Sequence, residues 1–384
     1  MSGQRFLSCG FLCTALLCGL AVCWSAPGPQ ITGYVFPQNA ALQPGQIDPR
    51  SMTRINYAFA DIAGGRMVTG FPADAENLAR LTALRQEDPS LSVLIAVGGW
   101  QWSMSFSDVA LTAESRKIFI RSVMDFLKQY DLDGLDVDWE YPGMPGAGNA
   151  FRSEDKQNFT LLLAELRARF NDKEKKTHRK LYLTIAAGAG EDYLEHTEMA
   201  KVEKYVDAVN LMAYDYCIPS RNGVTCHDAP LYSNPEAPTT GSADEEVRAF
   251  EEAGVPAAKI LLGIPFYGRE WGEVANINHG LFQKGQPLGS GGVPYSTIAE
   301  SMLKQGFTRY WDSKASAPYL YNEEKHEFVS FDDSESIAAK CNYAVTHNLG
   351  GVMFWSYQND PSGALTAAIK RSLADAARGG TEKK

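Results

Sequence analysis

The chain has 384 residues, 45% apolar and 21% charged, enough to bury a large core and too apolar for a disordered chain. Its formal net charge of −10 argues against nucleic acid or an anionic membrane surface as partner. A neutral substrate is compatible with that charge but is not selected by it.

Taken in order, residues 1–25 read as a secretory leader. Arg5 supplies the positive start, residues 11–22 are apolar, and Cys23-Trp24-Ser25-Ala26 offers small residues for cleavage after Ser25. The apolar run is shorter than the roughly 20 residues of a spanning helix. An uncleaved anchor and a lipoprotein site at Cys23 are the alternatives. Cys9, Cys13, Cys18 and Cys23 fall in this leader, which leaves Cys217, Cys226 and Cys341. That is too few for a disulfide scaffold. The chain after the leader reads as one domain, residues 26–384, with no linker or low-complexity stretch.

Strand-like runs then alternate with helical ones. Strands are expected at 31–36, 54–62, 92–100, around 131–141, and at 181–188, 208–215, 260–269 and 350–357. Helices fit at 75–86, 113–129, 153–170 (with Ser153 as cap), 244–253 and 334–346. The tail beyond about residue 373 is expected to fray. Eight apolar strands with helical connections argue for an α/β fold, a (β/α)8 barrel, with a doubly wound open sheet as the alternative. The connection between strands seven and eight is long, about 80 residues, where a few are usual. Its aromatic content, from Trp271 to Phe328, reads as a small α+β insertion over about 271–330.

The densest chemistry lies in the fourth strand. Asp133-Gly134-Leu135-Asp136-Val137-Asp138-Trp139-Glu140 places four acids among apolar residues. Alternation puts Asp136, Asp138 and Glu140 on one face and Leu135, Val137 and Trp139 on the other. Like charges in a row repel and cost desolvation, so stability does not explain them. A solvated edge strand conflicts with the apolar alternate positions. A metal site lacks nearby His or Cys, and Val and Trp between ligands do not suit a hard-cation loop. The remaining reading is a carboxylate row in a catalytic cleft. Asp133 is out of phase and fits a structural role at the start of the strand.

This octapeptide resembles the D-G-x-D-x-D-W-E signature of glycoside hydrolase family 18, the chitinases. The resemblance implies the barrel, chitin or chito-oligosaccharides as partner, no cofactor, and no metal. It makes 26–384 the catalytic domain. It implies that Glu140 is the general acid and then the base, that Asp138 orients the substrate's 2-acetamido group, and that Asp136 shares a proton with Asp138. Asn210-Leu211-Met212-Ala213-Tyr214-Asp215-Tyr216 resembles the family's strand-six motif. There Tyr214 would donate to the acetamido oxygen, Asp215 would help hold Glu140, and Met212 would line the pocket. Trp355 resembles the tryptophan floor under the cleaved sugar. Trp100, after Gly98-Gly99, and the weaker Trp102 are further platforms, while Tyr34, Tyr141, Tyr267 and Arg269 match positions that line the cleft. One departure is Ala96, where relatives often carry serine; Tyr34 would then have to balance Asp136 alone.

Spacing adds three readings. Residues i and i+2 of a strand lie ~6.5 Å apart, between the carboxylate separations of retaining and inverting glycosidases, so only the resemblance selects retention by the substrate's own acetamido group. Cys217 and Cys226 bracket a turn containing Pro219 and Gly223 and are expected to pair in an oxidising compartment, with Cys341 a buried free thiol. Asn158-Phe159-Thr160 is a glycosylation sequon, meaningful only in a eukaryotic host. The expectation is a secreted, monomeric chitinase without membrane or nucleic-acid partners. A chitin-binding lectin and a hydrolase of N-glycan cores or peptidoglycan are the competing functions.

Overall fold

Eight parallel strands close on themselves in the computed structural model of the protein, which describes residues 28–238, 241–289 and 291–381. The leader expected at 1–25 lies outside them. The barrel strands are β1 (Gln30–Val35), β2 (Arg54–Ala63), β3 (Ser92–Gly98), β4 (Gly134–Asp138), β5 (Tyr182–Gly188), β6 (Ala208–Met212), β7 (Ile260–Pro265) and β8 (Gly351–Trp355). Each pairs in parallel with its sequence neighbours, and β1 pairs with both β2 and β8, which closes the ring. A closed parallel sheet with outer helices is the (β/α)8 barrel, so the open-sheet alternative is excluded. The short strand Arg66–Thr69 adds antiparallel to β2 outside the ring.

Alternation along β4 decides which side chains meet which core. Leu135, Val137 and Trp139 join the outer core between barrel and helices, with Phe119, Leu162 and Leu166. Trp139 is 1% exposed, stacks on Phe106 at 5.2 Å and meets the edge of Phe159 at 5.7 Å. The opposite face of β4 turns Asp136 and Asp138 into the barrel. Register brings Asp136 level with Ala96 of β3 and Thr184 of β5.

Four expectations need correction. The run 260–269 is two strands. β7 stops at Pro265, and Tyr267–Gly272 belongs to an antiparallel sheet with Glu327–Ser330, Ala317–Asn322 and Thr308–Asp312. That sheet, with the helix Tyr295–Glu300, is the insertion between β7 and β8, and it begins before residue 271. The sequence hides the change of sheet because only Phe266 separates the two strands, so they read as one run. Ser153 is not a cap: the helix is Asp155–Thr177, with no side-chain cap bond. Its start is held by the buried Asp155 carboxylate, which accepts from Arg152 N at 2.8 Å and Ser107 Oγ at 2.6 Å. The tail does not fray at 373 but continues the helix Ala364–Thr381, whose Leu365, Ile369 and Leu373 are buried. Last, Asn158 lies inside the helix Asp155–Thr177 at 7% exposure, so the folded chain does not present the sequon.

Cys217 and Cys226 form a disulfide with Cα atoms 5.8 Å apart, and Cys341 is buried and free. Among the described residues no helix is long and apolar enough to cross a membrane.

Because Trp139 anchors the acid strand from behind, Trp139→Ala is expected to destabilise the fold by ~3–5 kcal/mol, the usual cost of an emptied aromatic core site. Denaturant unfolding of the two proteins measures it.

Candidate active site

The acid row sits at the C-terminal end of β4, the end where active sites of such barrels form. Asp136 is deepest, with no exposure. Tyr34 Oη donates to its Oδ2 at 2.7 Å, and Asn210 Nδ2 to its Oδ1 at 2.9 Å. Thr184 Oγ1 also donates to Oδ1. The expectation that Tyr34 acts alone once Ala96 replaces serine is therefore corrected: neighbouring strands supply two further donors. Burial raises the Asp136 pKa, and the donors Thr184, Tyr34 and Asn210 oppose it. Hydrogen bonds to a carboxylate favour the charged form.

Asp138 is 4% exposed, and its Oδ1 has no hydrogen-bond partner among the described residues. Burial first, then the charges of Glu140 and Asp136, pushes it well above the carboxylate range. Three carboxylates this close and this dry cannot all ionise. Glu140, two residues beyond β4, rises from 4.5 to about 7 through burial, with Tyr141 opposing and Asp215 adding to the rise. Such a carboxyl can give a proton near neutrality and take one back.

The backbone under Glu140 is fixed from the segment after β3. Glu140 N donates to Ser103 Oγ at 2.8 Å, and that hydroxyl reaches the carbonyls of Gly99 (2.9 Å) and Asp138 (3.1 Å). Gly99 N donates to Asp138 O at 2.8 Å. Gly98 has φ +103°, and a Cβ there would lie 2.2 Å from Asp138 O, so only glycine permits this approach. Asp133 stands apart at the start of β4. It accepts from Val93 N at 2.8 Å and pairs with Arg85 (3.1 Å) and Arg179 (2.6 Å).

A second acid closes the site from the end of β6. Asp215, with φ +63°, accepts from Tyr267 Oη at 2.7 Å and from Arg269 Nε at 3.2 Å. Tyr214 meets Tyr267 edge-on at 6.3 Å. Met212, Tyr214 and Trp355 pack on one apolar cluster with Tyr34 and Phe59 at the barrel mouth. Trp355 lies parallel to Phe59 at 5.5 Å and also touches Tyr34 and Phe36. Trp100 is 43% exposed and sits 6.4 Å from Tyr141, whereas Trp102 packs on Phe71 at 4.8 Å. The structure thus brings together Asp136, Asp138 and Glu140 with Tyr34, Tyr141, Tyr214, Asp215, Tyr267, Arg269 and Trp355, and leaves Asp133 outside.

Sequence reasoning missed Thr184, Ser103 and Phe59, and it quoted Asn210 without a role. Thr184 had a signal, a hydroxyl inside the apolar run 181–188. Ser103 had none. Among the described residues no group of three or more His, Cys, Asp or Glu is placed to hold a metal ion.

The raised Glu140 carboxyl carries a stability consequence. A carboxylate whose folded pKa exceeds its unfolded value costs stability as pH rises from the unfolded value, near 4.5, through about 7. Glu140→Gln removes that cost. The variant is expected to match wild type near pH 4 and to exceed it above pH 7 by ~1–3 kcal/mol, read by denaturant unfolding at both pH values.

Residues 30–360 match the model of glycosyl hydrolases family 18. Chitinase A1 of Niallia circulans is 37% identical over 93% of this chain, which spans 60% of that relative's length. A family 18 N-acetylglucosaminidase from Paenibacillus barengoltzii superposes with a TM-score of 0.83 at 38% identity, covering 90% of this chain and 99% of that one. Human YKL-39, a pseudo-chitinase with retained chitooligosaccharide binding, superposes with a TM-score of 0.81 at 25% identity, covering 90% and 100%. A barrel with this acid row, matched along most of its length, belongs to glycosyl hydrolases family 18.

Proposed function

We propose that the protein is a chitinase that hydrolyses β-1,4-linked N-acetylglucosamine chains with retention, using the substrate's acetamido oxygen as nucleophile. The observation that carries this reading is the pair Asp138 and Glu140: a carboxyl that keeps its proton to about 7, beside a buried carboxyl with a free oxygen. Relatives named as chitinases support the substrate class.

In the proposed reaction Glu140 gives its proton to the glycosidic oxygen as the bond from that oxygen to C1 breaks. The acetamido carbonyl oxygen bonds to C1, forming a cyclic oxazolinium. Asp138 accepts the acetamido N–H and stabilises the positive charge, and Tyr214 orients the carbonyl oxygen. Water then attacks C1 and yields its proton to the Glu140 carboxylate, which opens the ring and restores the acid. Two inversions at C1 leave a β product. Trp355 supplies the floor on which the sugar's C–H face rests. Asp136, held by Tyr34, Thr184 and Asn210, serves as the charged neighbour that lets Asp138 share a proton.

A binding protein without turnover, as the pseudo-chitinase YKL-39 is, is the second reading. Retention of Glu140 disfavours it, because family lectins typically lose the acid at that position. The N-acetylglucosaminidase neighbour makes release of single sugars an outcome to test rather than exclude. The leader and the disulfide support secretion.

Three results are expected. Glu140→Gln should keep oligosaccharide binding but lose ~10²–10⁴-fold in turnover of a fluorogenic chitobioside; near-normal turnover sinks the acid assignment. Proton NMR of the nascent product should show the β anomer. Chains with glucosamine at the cleavage subsite should bind and resist cleavage, since a free amine offers no carbonyl oxygen; frequent cleavage there would exclude the acetamido nucleophile.

A further inference from the structure

One buried acid beside the site takes no part in the reaction above. Asp228, on the loop after β6, is 1% exposed, and neither of its side-chain oxygens has a hydrogen-bond partner among the described residues. Arg269 Nε lies 3.5 Å from its Oδ1, while the same nitrogen donates to Asp215 at 3.2 Å. The guanidinium therefore stands between two carboxyl groups. The Asp228 backbone is tied on both sides. Tyr216 N, next to Asp215, donates to Asp228 O at 3.1 Å. Asp228 N donates to Ser330 Oγ at 2.8 Å, and Ser330 is the strand partner of Arg269. The disulfide runs from Cys217, two residues after Asp215, to Cys226, two residues before Asp228.

We infer that Asp228 is a positioning residue: it holds the Arg269 guanidinium against Asp215, and through Asp215 it governs how Glu140 keeps its proton. The inference rests on the reading of Glu140 as the acid. Asp215 has a 37% exposed side chain and would move if Arg269 moved, whereas Asp228 cannot. The charged groups acting on Asp228 are Asp215, Arg269, Asp332 and Lys340, and the Tyr216 and Tyr267 hydroxyls feel it in turn. With Asp228 itself, that set holds three carboxyl groups and two cations, so one carboxyl is in excess. Asp228, raised by burial and then by Asp215 against the pull of Arg269 and Lys340, keeps a proton. A neutral acid still offers its carbonyl oxygen to Arg269, and an amide offers the same oxygen.

The test compares Asp228→Asn and Asp228→Leu with wild type on the chitobioside across pH. Wild-type turnover establishes the activity itself; the variant ratios then test Asp228. The asparagine variant should stay within about threefold of wild-type kcat, with the alkaline limb of kcat/KM in place. The leucine variant should lose about ten- to a hundredfold in kcat, the scale of a misplaced group, with KM changed far less. Its alkaline limb should move up, because Asp215 freed from Arg269 repels the Glu140 carboxylate more strongly. If the leucine variant lacks the wild-type circular dichroism, Asp228→Ala replaces it. Loss of more than tenfold in the asparagine variant, or an unmoved limb in the leucine or alanine variant, overturns the inference.

Discussion

The structure depends on one uncomfortable arrangement, a row of carboxyl groups inside a closed apolar barrel. Removing an isolated carboxylate from water costs several kcal/mol even after relaxation. The protein meets this unequally. Asp136 receives three donors from three other strands, so it is the member best able to stay charged. Asp138 receives none on Oδ1 and tends to hold a proton. Glu140, at the mouth, titrates near neutrality. A gradient of proton affinity follows from a gradient of hydrogen-bond supply, and the least buried acid of the row, Glu140 at 9% exposure, is the one poised to exchange.

That gradient needs rigid backing. Trp139 locks the outer face of β4 against Phe106 and Phe159, while Ser103 and the Gly98-Gly99 turn grip the backbone on either side of Trp139, at Asp138 O and Glu140 N. A slip of one residue would carry the acids into the outer core and Trp139 into the cleft. The insertion adds a second support. Its first strand carries both Tyr267 and Arg269 to Asp215. Just past its strand Glu327–Ser330 lies Asp332, which pairs with Lys340 where both side chains are buried. Breaking such a pair from one side leaves an unpaired charge, so the insertion is bound to the barrel by electrostatics as well as by packing.

The cleft's own chemistry is nearly neutral despite its acids. Aromatic faces from β1, β2 and β8 gather at the mouth, and the carboxyl groups beneath are partly protonated or paired. A neutral ligand with apolar ring faces and polar edges meets such a surface without a large desolvation cost.

The barrel was legible because both of its periodicities are local. Continuous apolar runs mark strands buried on two faces, and the 113–129 and 334–346 helices carry their spacing in sequence. The acid row was legible for the same reason: alternation within eight residues sorts Asp136, Asp138 and Glu140 from Leu135, Val137 and Trp139. The sequence by itself also determined that Asp133 stands out of phase, and it raised the expectation that Cys217 and Cys226 pair, which the structure bears out. It did not reveal the break at Phe266, since a single residue separates two strands that belong to different sheets. Only the tertiary structure decided that Thr184 and Asn210 share the load on Asp136, that Ser103 holds Glu140, and that Asp228 stands behind Arg269. Those partners lie tens of residues apart, and their meeting depends on the register of neighbouring strands. Register is fixed by the closure of the whole ring, and no single segment encodes it.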